Sequence, residues 1–210
     1  MKKVVLLGDS IRLWGYGTKV PELLGEGYEV CQPEDNCRFA SYVLRHFHEY
    51  LGDIKGEDID VIHWNAGLWD CLRMFEEEPH TPKEIYGYYI DRICQRIKKL
   101  YPDAKVIFAT STAVISEKMS VAFKRYNEEI EEYNKIAVEI VTKYGFKVND
   151  LYALSATLPE GVHSDPVHYY TPEGTEAFTK KVLEVLAETL ELDNTPEYKE
   201  ELHQRKPVGI

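Results

Sequence analysis

A three-layer α/β/α sandwich on a five-stranded, mostly parallel sheet is the fold class the sequence predicts, from three observations. Five short runs of β-branched or apolar residues recur along the 210 residues; helical apolar patterns lie between them; and no Pro/Gly-rich linker, repeat or low-complexity tract interrupts the chain before residue 192. Alternating strands and helices imply parallel neighbours joined by right-handed crossovers, which cover both faces of the sheet.

In chain order the strand runs are 3–8, 28–31, 59–64, 105–110 and 146–149. Between the second and third, Phe39, Val43, Leu44, Phe47 and Leu51 share one helical face, and Ile90, Ile93, Ile97 and Leu100 do so before the fourth. Thr81, Pro82 and Glu84 read as N-cap, first helical residue and capping-box partner. A long helix is predicted over 119–144, closed by Gly145, and Thr171-Pro172-Glu173 opens the last one. The predicted organisation is one domain, 1–192, followed by a charged tail, 193–210, that loses apolar periodicity and reads as peripheral or as a homo-oligomer contact.

A composition of 44% hydrophobic and 29% charged residues is that of an ordinary globular chain able to bury one core. The net charge of −11 argues against nucleic-acid binding, which relies on Lys and Arg neutralising phosphates. Its acidic residues are spread over helical segments and read as a solubilising surface. After Met1-Lys2-Lys3 the apolar run stops at Gly8 after four residues, too early for a signal peptide, and no stretch is long enough to span a bilayer. The expectation is therefore a cytoplasmic protein without membrane insertion, with Cys31, Cys37, Cys71 and Cys94 kept as thiols.

In open α/β sheets ligands bind beyond the carboxyl ends of the strands. The residues that follow the five runs are Gly8-Asp9-Ser10, Asn36-Cys37-Arg38, Asn65-Ala66-Gly67, Thr110-Ser111-Thr112 and, in the long last loop, Asp165-Pro166-Val167-His168. Taken singly these are ambiguous. A Ser beyond a strand is commonly a helix cap, and an Asp and a His three apart are commonly a surface pair. The same spacing in a turn also lets a carboxylate orient an imidazole whose other nitrogen faces a nucleophile. Neither the G-x-G-x-x-G fingerprint of dinucleotide binding nor the G-x-S-x-G elbow of α/β-hydrolases is present around Ser10.

Together, Gly8-Asp9-Ser10-Ile11 and Asp165-Pro166-Val167-His168-Tyr169-Tyr170-Thr171-Pro172-Glu173-Gly174 resemble the first and last motif blocks of the SGNH (GDSL-like) hydrolase family. The resemblance spans nearly the whole chain and implies a flavodoxin-like layout and a cofactor-free, metal-free ester hydrolase. Its substrate would be a small-molecule ester such as an acylated sugar, with acetyl removal the leading expectation and a lysophospholipase or thioesterase the alternative. By this resemblance Ser10 is the nucleophile, His168 its general base and Asp165 the residue that orients His168. Oxyanion donors would be the Ser10 N–H, the backbone of Cys37 or Arg38, and an Asn side chain.

The middle blocks depart from the pattern. Asn36-Cys37-Arg38-Phe39 lacks the usual Gly, and Gly67-Leu68-Trp69-Asp70 has Trp69 where the family has Asn. Asn65, two residues before Gly67, is the expected substitute, its other reading being a structural Asn bonded to a turn. A non-hydrolytic binding protein on the same fold is the rival from another class. Substrate contacts are assigned to Trp14, Arg38, Trp69 and, beside its turn-stabilising role, Asp9; Arg12 and His63 are also placed near the rim, where they would be salt-bridged or solvated unless an acidic substrate group engages them.

Overall fold

The computed structural model describes residues 1–51 and 58–204. Strands β1 (Lys2–Leu7), β2 (Tyr28–Cys31), β3 (Val61–Trp64), β4 (Lys105–Ala109) and β5 (Lys147–Asn149) form one parallel sheet in the order β2-β1-β3-β4-β5. Val4, Val5, Leu6 and Leu7 of β1 lie between two neighbours and are fully buried, which is why this run is continuously apolar rather than alternating. The order reverses between β1 and β3, and such a reversal opens a crevice at the carboxyl ends of those two strands. Ser10 follows β1 and Asn65 follows β3, so the fold delivers both to that crevice.

Helices form the two outer layers. On one side α2 (Ala40–Tyr50), α3 (Lys83–Leu100) and α4 (Asn127–Lys143) pack side by side, α3 burying Ile90, Ile93, Cys94 and Ile97 at the predicted spacing. On the other, α6 (Pro172–Leu190) packs against α1 (Val20–Leu24) and α5 (Leu151–Thr157). Thr171 caps α6 through its hydroxyl, which accepts the Gly174 N–H at 3.1 Å, and Pro172 occupies the first turn, as the sequence predicts. Among the described residues no helix is long and apolar enough to cross a membrane.

Three expectations are corrected. The helix predicted over 119–144 begins only at Asn127; residues before it instead run antiparallel to the segment around Arg73, with Arg73 and Lys124 exchanging two backbone hydrogen bonds of 2.9 and 2.8 Å. Tertiary pairing overrides helix propensity there. Thr81 does not cap α3, whose N-cap is Pro82, because it is turned inward: its N–H donates to the Asp70 carbonyl at 2.9 Å and its carbonyl accepts the Tyr133 hydroxyl. The tail, exposed over most of 193–201, is not wholly peripheral: Leu202 is buried in the core and its carbonyl accepts a hydrogen bond from Lys19 Nζ at 2.8 Å; 205–210 lie outside the described residues.

Asp70 takes over a capping role that local sequence does not reveal. Its two carboxylate oxygens accept the Ala40 N–H at 3.1 and 3.0 Å, so a side chain from the loop after β3 closes the amino end of α2. Burial pushes its carboxyl up from 3.8 to about 7, with the Thr81 hydroxyl and the Ala40 N–H limiting the rise. A folded pKa above the unfolded one means that the native state holds the proton more tightly. The stabilising contribution is then complete below pH 3.8 and is lost as pH rises toward about 7. Wild-type stability should therefore fall relative to Asp70→Asn across that window in urea denaturation at stepped pH. A difference that stays constant with pH would contradict it.

Candidate active site

The first turn after β1 is built around Asp9. Its Oδ1 accepts the Ile11 N–H at 2.9 Å, and its carbonyl accepts the Leu13 N–H at 3.0 Å, which opens the short helical turn Ile11–Gly15 directly after Ser10. Asn65 locks the other side: its Oδ1 accepts the Asp9 N–H at 3.2 Å and its Nδ2 donates to Asp9 Oδ2 at 3.1 Å. Gly8 makes this approach feasible, because a Cβ there would run into Asn65 Oδ1 and into Arg12 Cβ at 2.9 Å. Ser10 is left 4% exposed at the head of the turn.

The loop after α5 brings the other two side chains. Asp165 Oδ1 accepts the backbone N–H groups of Val167 at 2.8 Å and His168 at 3.0 Å, folding the segment into a tight turn. Pro166 and Tyr169 anchor that turn to the loop after β4: the Pro166 carbonyl accepts the Ile115 N–H at 2.8 Å, and the Tyr169 hydroxyl donates to the Ala113 carbonyl at 2.9 Å. Asp165 Oδ2 then lies 2.7 Å from His168 Nδ1, and His168 Nε2 lies 2.8 Å from Ser10 Oγ. With Nδ1–H donating to the carboxylate, Nε2 is free to accept the Ser10 hydroxyl proton. Burial pushes the Asp165 carboxyl upward, but the Val167 N–H, the His168 ring and the His168 N–H outweigh it and hold the group below its usual range.

Tyr170 is a site residue that the sequence reading missed. Its ring stacks on the His168 imidazole, with centroids 4.7 Å apart and planes 17° from parallel, and its hydroxyl donates to the Ser10 carbonyl at 2.9 Å. Trp14 meets the same ring edge-on at 6.3 Å. One side chain thus braces both the imidazole and the backbone of the serine. The only sequence signal was its position two residues after His168, since aromatic residues at such positions are usually core.

The other assigned residues are placed as follows. Asp9 is buried and its carboxylate is committed to Ile11 and Asn65, so it faces the turn rather than a ligand. The Cys37 N–H donates to the Gly8 carbonyl at 3.1 Å and the Arg38 N–H to Asn36 Oδ1 at 2.8 Å, so both second-block backbone donors are engaged. Arg38 adopts a left-handed φ of 50°, the conformation a glycine takes freely, while its side chain lies 3.6 Å from Asp35 and covers the Tyr42 ring. Trp69 is half-buried beside Phe123, ring centroids 5.8 Å apart.

Arg12 and His63 are not rim residues. Arg12 is buried and donates to the carbonyls of Pro33, Asp35 and Gly8 at 2.8, 2.6 and 3.2 Å, which ties the loop after β2 to the end of β1. His63 is buried within β3, with Nε2 3.1 Å from Asn149 Nδ2, and burial holds its pKa down at about 4. It is a neutral core histidine.

Strand order and layer arrangement match the fold of the SGNH hydrolases. Solved structures similar to this chain include three enzymes. The acetyl xylan esterase AlAXEase superimposes with a TM-score of 0.66 at 17% identity, covering 88% of this chain and 99% of that one. Axe2, an acetylxylan esterase from Geobacillus stearothermophilus, gives 0.67 at 16%, covering 87% and 93%. LAE5, described as an alpha/beta hydrolase enzyme from the metagenome of Lake Arreo, Spain, gives 0.68 at 14%, covering 92% and 97%. No family model and no curated protein sequence matches the chain.

Proposed function

We propose that the protein is a serine ester hydrolase that acts on a small-molecule ester through an acyl-enzyme on Ser10. The observation that carries this reading is the continuous chain Asp165–His168–Ser10, with contacts of 2.7 and 2.8 Å between residues drawn from opposite ends of the sequence. His168 takes the Ser10 proton as Oγ bonds to the carbonyl carbon, then returns it to the departing alcohol oxygen. Water, deprotonated by the same imidazole, releases the acid and restores Ser10. Asp165 holds the tautomer that makes this sequence work and stabilises the imidazolium while it exists.

Acetyl groups on a carbohydrate are the leading substrate class, supported by the acetylxylan esterases among the similar structures. A second reading, hydrolysis of longer acyl esters, is favoured by the exposed side chains of Met74, Phe75, Val121 and Phe123 on the paired segments next to Trp69. A chain-length series of p-nitrophenyl esters separates the two. The expected result is hydrolysis with the highest kcat/KM for acetate, while a maximum at long acyl chains would replace the first reading with the second. No hydrolysis together with no fluorophosphonate labelling of the folded protein would overturn both and leave a binding protein.

A further inference from the structure

His168 is weakly held by the triad alone. Asp165 Oδ2 fixes its Nδ1 at 2.7 Å, but the Asp165 side chain is 45% exposed and that of His168 23%, so water competes for this bond. One hydrogen bond aims a single ring nitrogen and leaves the plane of the imidazole to be set by something else.

Tyr170 sets that plane. Its ring lies 17° from parallel to the imidazole with centroids 4.7 Å apart, the spacing of an offset stack. The same ring abuts the turn that carries the nucleophile: Trp14 meets it edge-on at 6.3 Å, a Cβ placed on Gly15 would come within 3.9 Å of Tyr170 Cε1, and the hydroxyl donates to the Ser10 carbonyl at 2.9 Å. Burial pushes the ionisation of this phenol upward by more than its contact with Ser10 lowers it, so the hydroxyl remains a donor.

The platform is anchored independently of the imidazole. Tyr170 immediately precedes Thr171, the N-cap of the 19-residue helix α6, and its N–H donates to Ser164 Oγ at 3.2 Å, while the Ser164 N–H donates to the His168 carbonyl at 2.8 Å. A ring serving only as core filler would be enclosed by aliphatic side chains. Tyr170 is only partly buried, and it spends its face on the general base and its hydroxyl on the backbone of the nucleophile.

We propose that Tyr170 is a positioning residue for ester hydrolysis, which holds His168 and Ser10 in one fixed relation and stabilises the imidazolium through its ring face. This rests on the serine-esterase reading. As Ser10 Oγ bonds to the carbonyl carbon, the π pair moves onto oxygen and the serine proton passes to His168 Nε2. On collapse the pair returns, the carbon–alkoxy bond breaks and the proton leaves with the alcohol. Between these steps the imidazole is cationic, and the negative face of an aromatic ring attracts it most at that moment. Tyr170 exchanges no proton.

The test compares wild type with Tyr170→Phe, which keeps the stack, and Tyr170→Leu, which removes it, by p-nitrophenyl acetate kinetics and the rate of fluorophosphonate labelling. In the Leu variant kcat should fall about 100-fold with KM within about twofold of wild type, and labelling should slow in parallel. The Phe variant should lose about tenfold, which measures the bond to the Ser10 carbonyl. In a His168→Ala background Tyr170→Leu should change the residual rate less than about twofold, because a residue that acts through His168 has nothing left to position. Thermal melts report whether each variant is folded. A folded Leu variant within about twofold of wild-type kcat, Phe and Leu variants of equal kcat, or the full loss repeated in the His168→Ala background would each overturn the inference. So would a loss confined to KM, which would make Tyr170 a substrate contact. In all these cases wild type still hydrolyses the ester, whereas an inactive, unlabelled wild type defeats the esterase reading itself.

Discussion

Ser10→Ala should cleave p-nitrophenyl acetate at least about 1,000-fold more slowly than wild type while melting at nearly the same temperature. The hydroxyl makes one hydrogen bond across the fold, to His168 Nε2 at 2.8 Å, and Ser10 makes no side-chain cap for the turn that follows. That turn is held by Asp9, whose carboxylate and carbonyl carry the bonds to Ile11 and Leu13. Removing one oxygen therefore deletes the nucleophile and leaves the scaffold in place, since alanine suits a helical first turn. Fluorophosphonate labelling should vanish with the activity. Equal turnover by the two folded proteins would remove Ser10 from the mechanism, whatever the fate of the substrate assignment.

Asp165→Asn should lower kcat by about 10,000-fold, with a much smaller effect on KM. An asparagine can keep the carbonyl-type acceptor that the Val167 and His168 N–H groups use at 2.8 and 3.0 Å, so the turn should persist. What changes is the group facing His168. An amide N–H at the 2.7 Å position would meet Nδ1 as a donor, moving the imidazole proton to Nε2, where it blocks acceptance of the serine proton. The Asp165 side chain is 45% exposed, so loss of its charge should cost little stability at neutral pH. Its carboxyl is held below the usual range, so its contribution to stability is present above the unfolded value and lost only as pH falls through the lower, folded one. Steady-state kinetics with circular dichroism checks the prediction; a folded Asn variant within about tenfold of wild-type kcat would contradict the orienting role.

Legibility followed how local the determining physics was. All five strands fell within two residues of their predicted runs because buried parallel strands carry continuous apolar sequence, and Thr171-Pro172 marked α6 because a cap is a short-range device. Thr81-Pro82 carried the same kind of signal, yet Thr81 bonds to Asp70 instead. The 119–126 segment is rich enough in helix formers to pass for the start of α4, yet it pairs with the strand-like stretch around Arg73. In both places a partner distant in sequence outweighed a local preference worth only fractions of a kcal/mol per residue.

From the sequence alone came the layered architecture, because periodicity is written along the polymer, and, through the resemblance of its first and last motif blocks to the SGNH hydrolases, the candidates Ser10, Asp165 and His168. Tertiary structure alone decided which polar groups are consumed by one another: Asp9 with Asn65, Cys37 with Gly8, and Asp70 with the amino end of α2. The physical reason is that a hydrogen bond belongs to a pair. Whether a donor remains for a substrate depends on acceptors that folding brings to it from far along the chain, as with Tyr170 and the Ser10 carbonyl 160 residues apart.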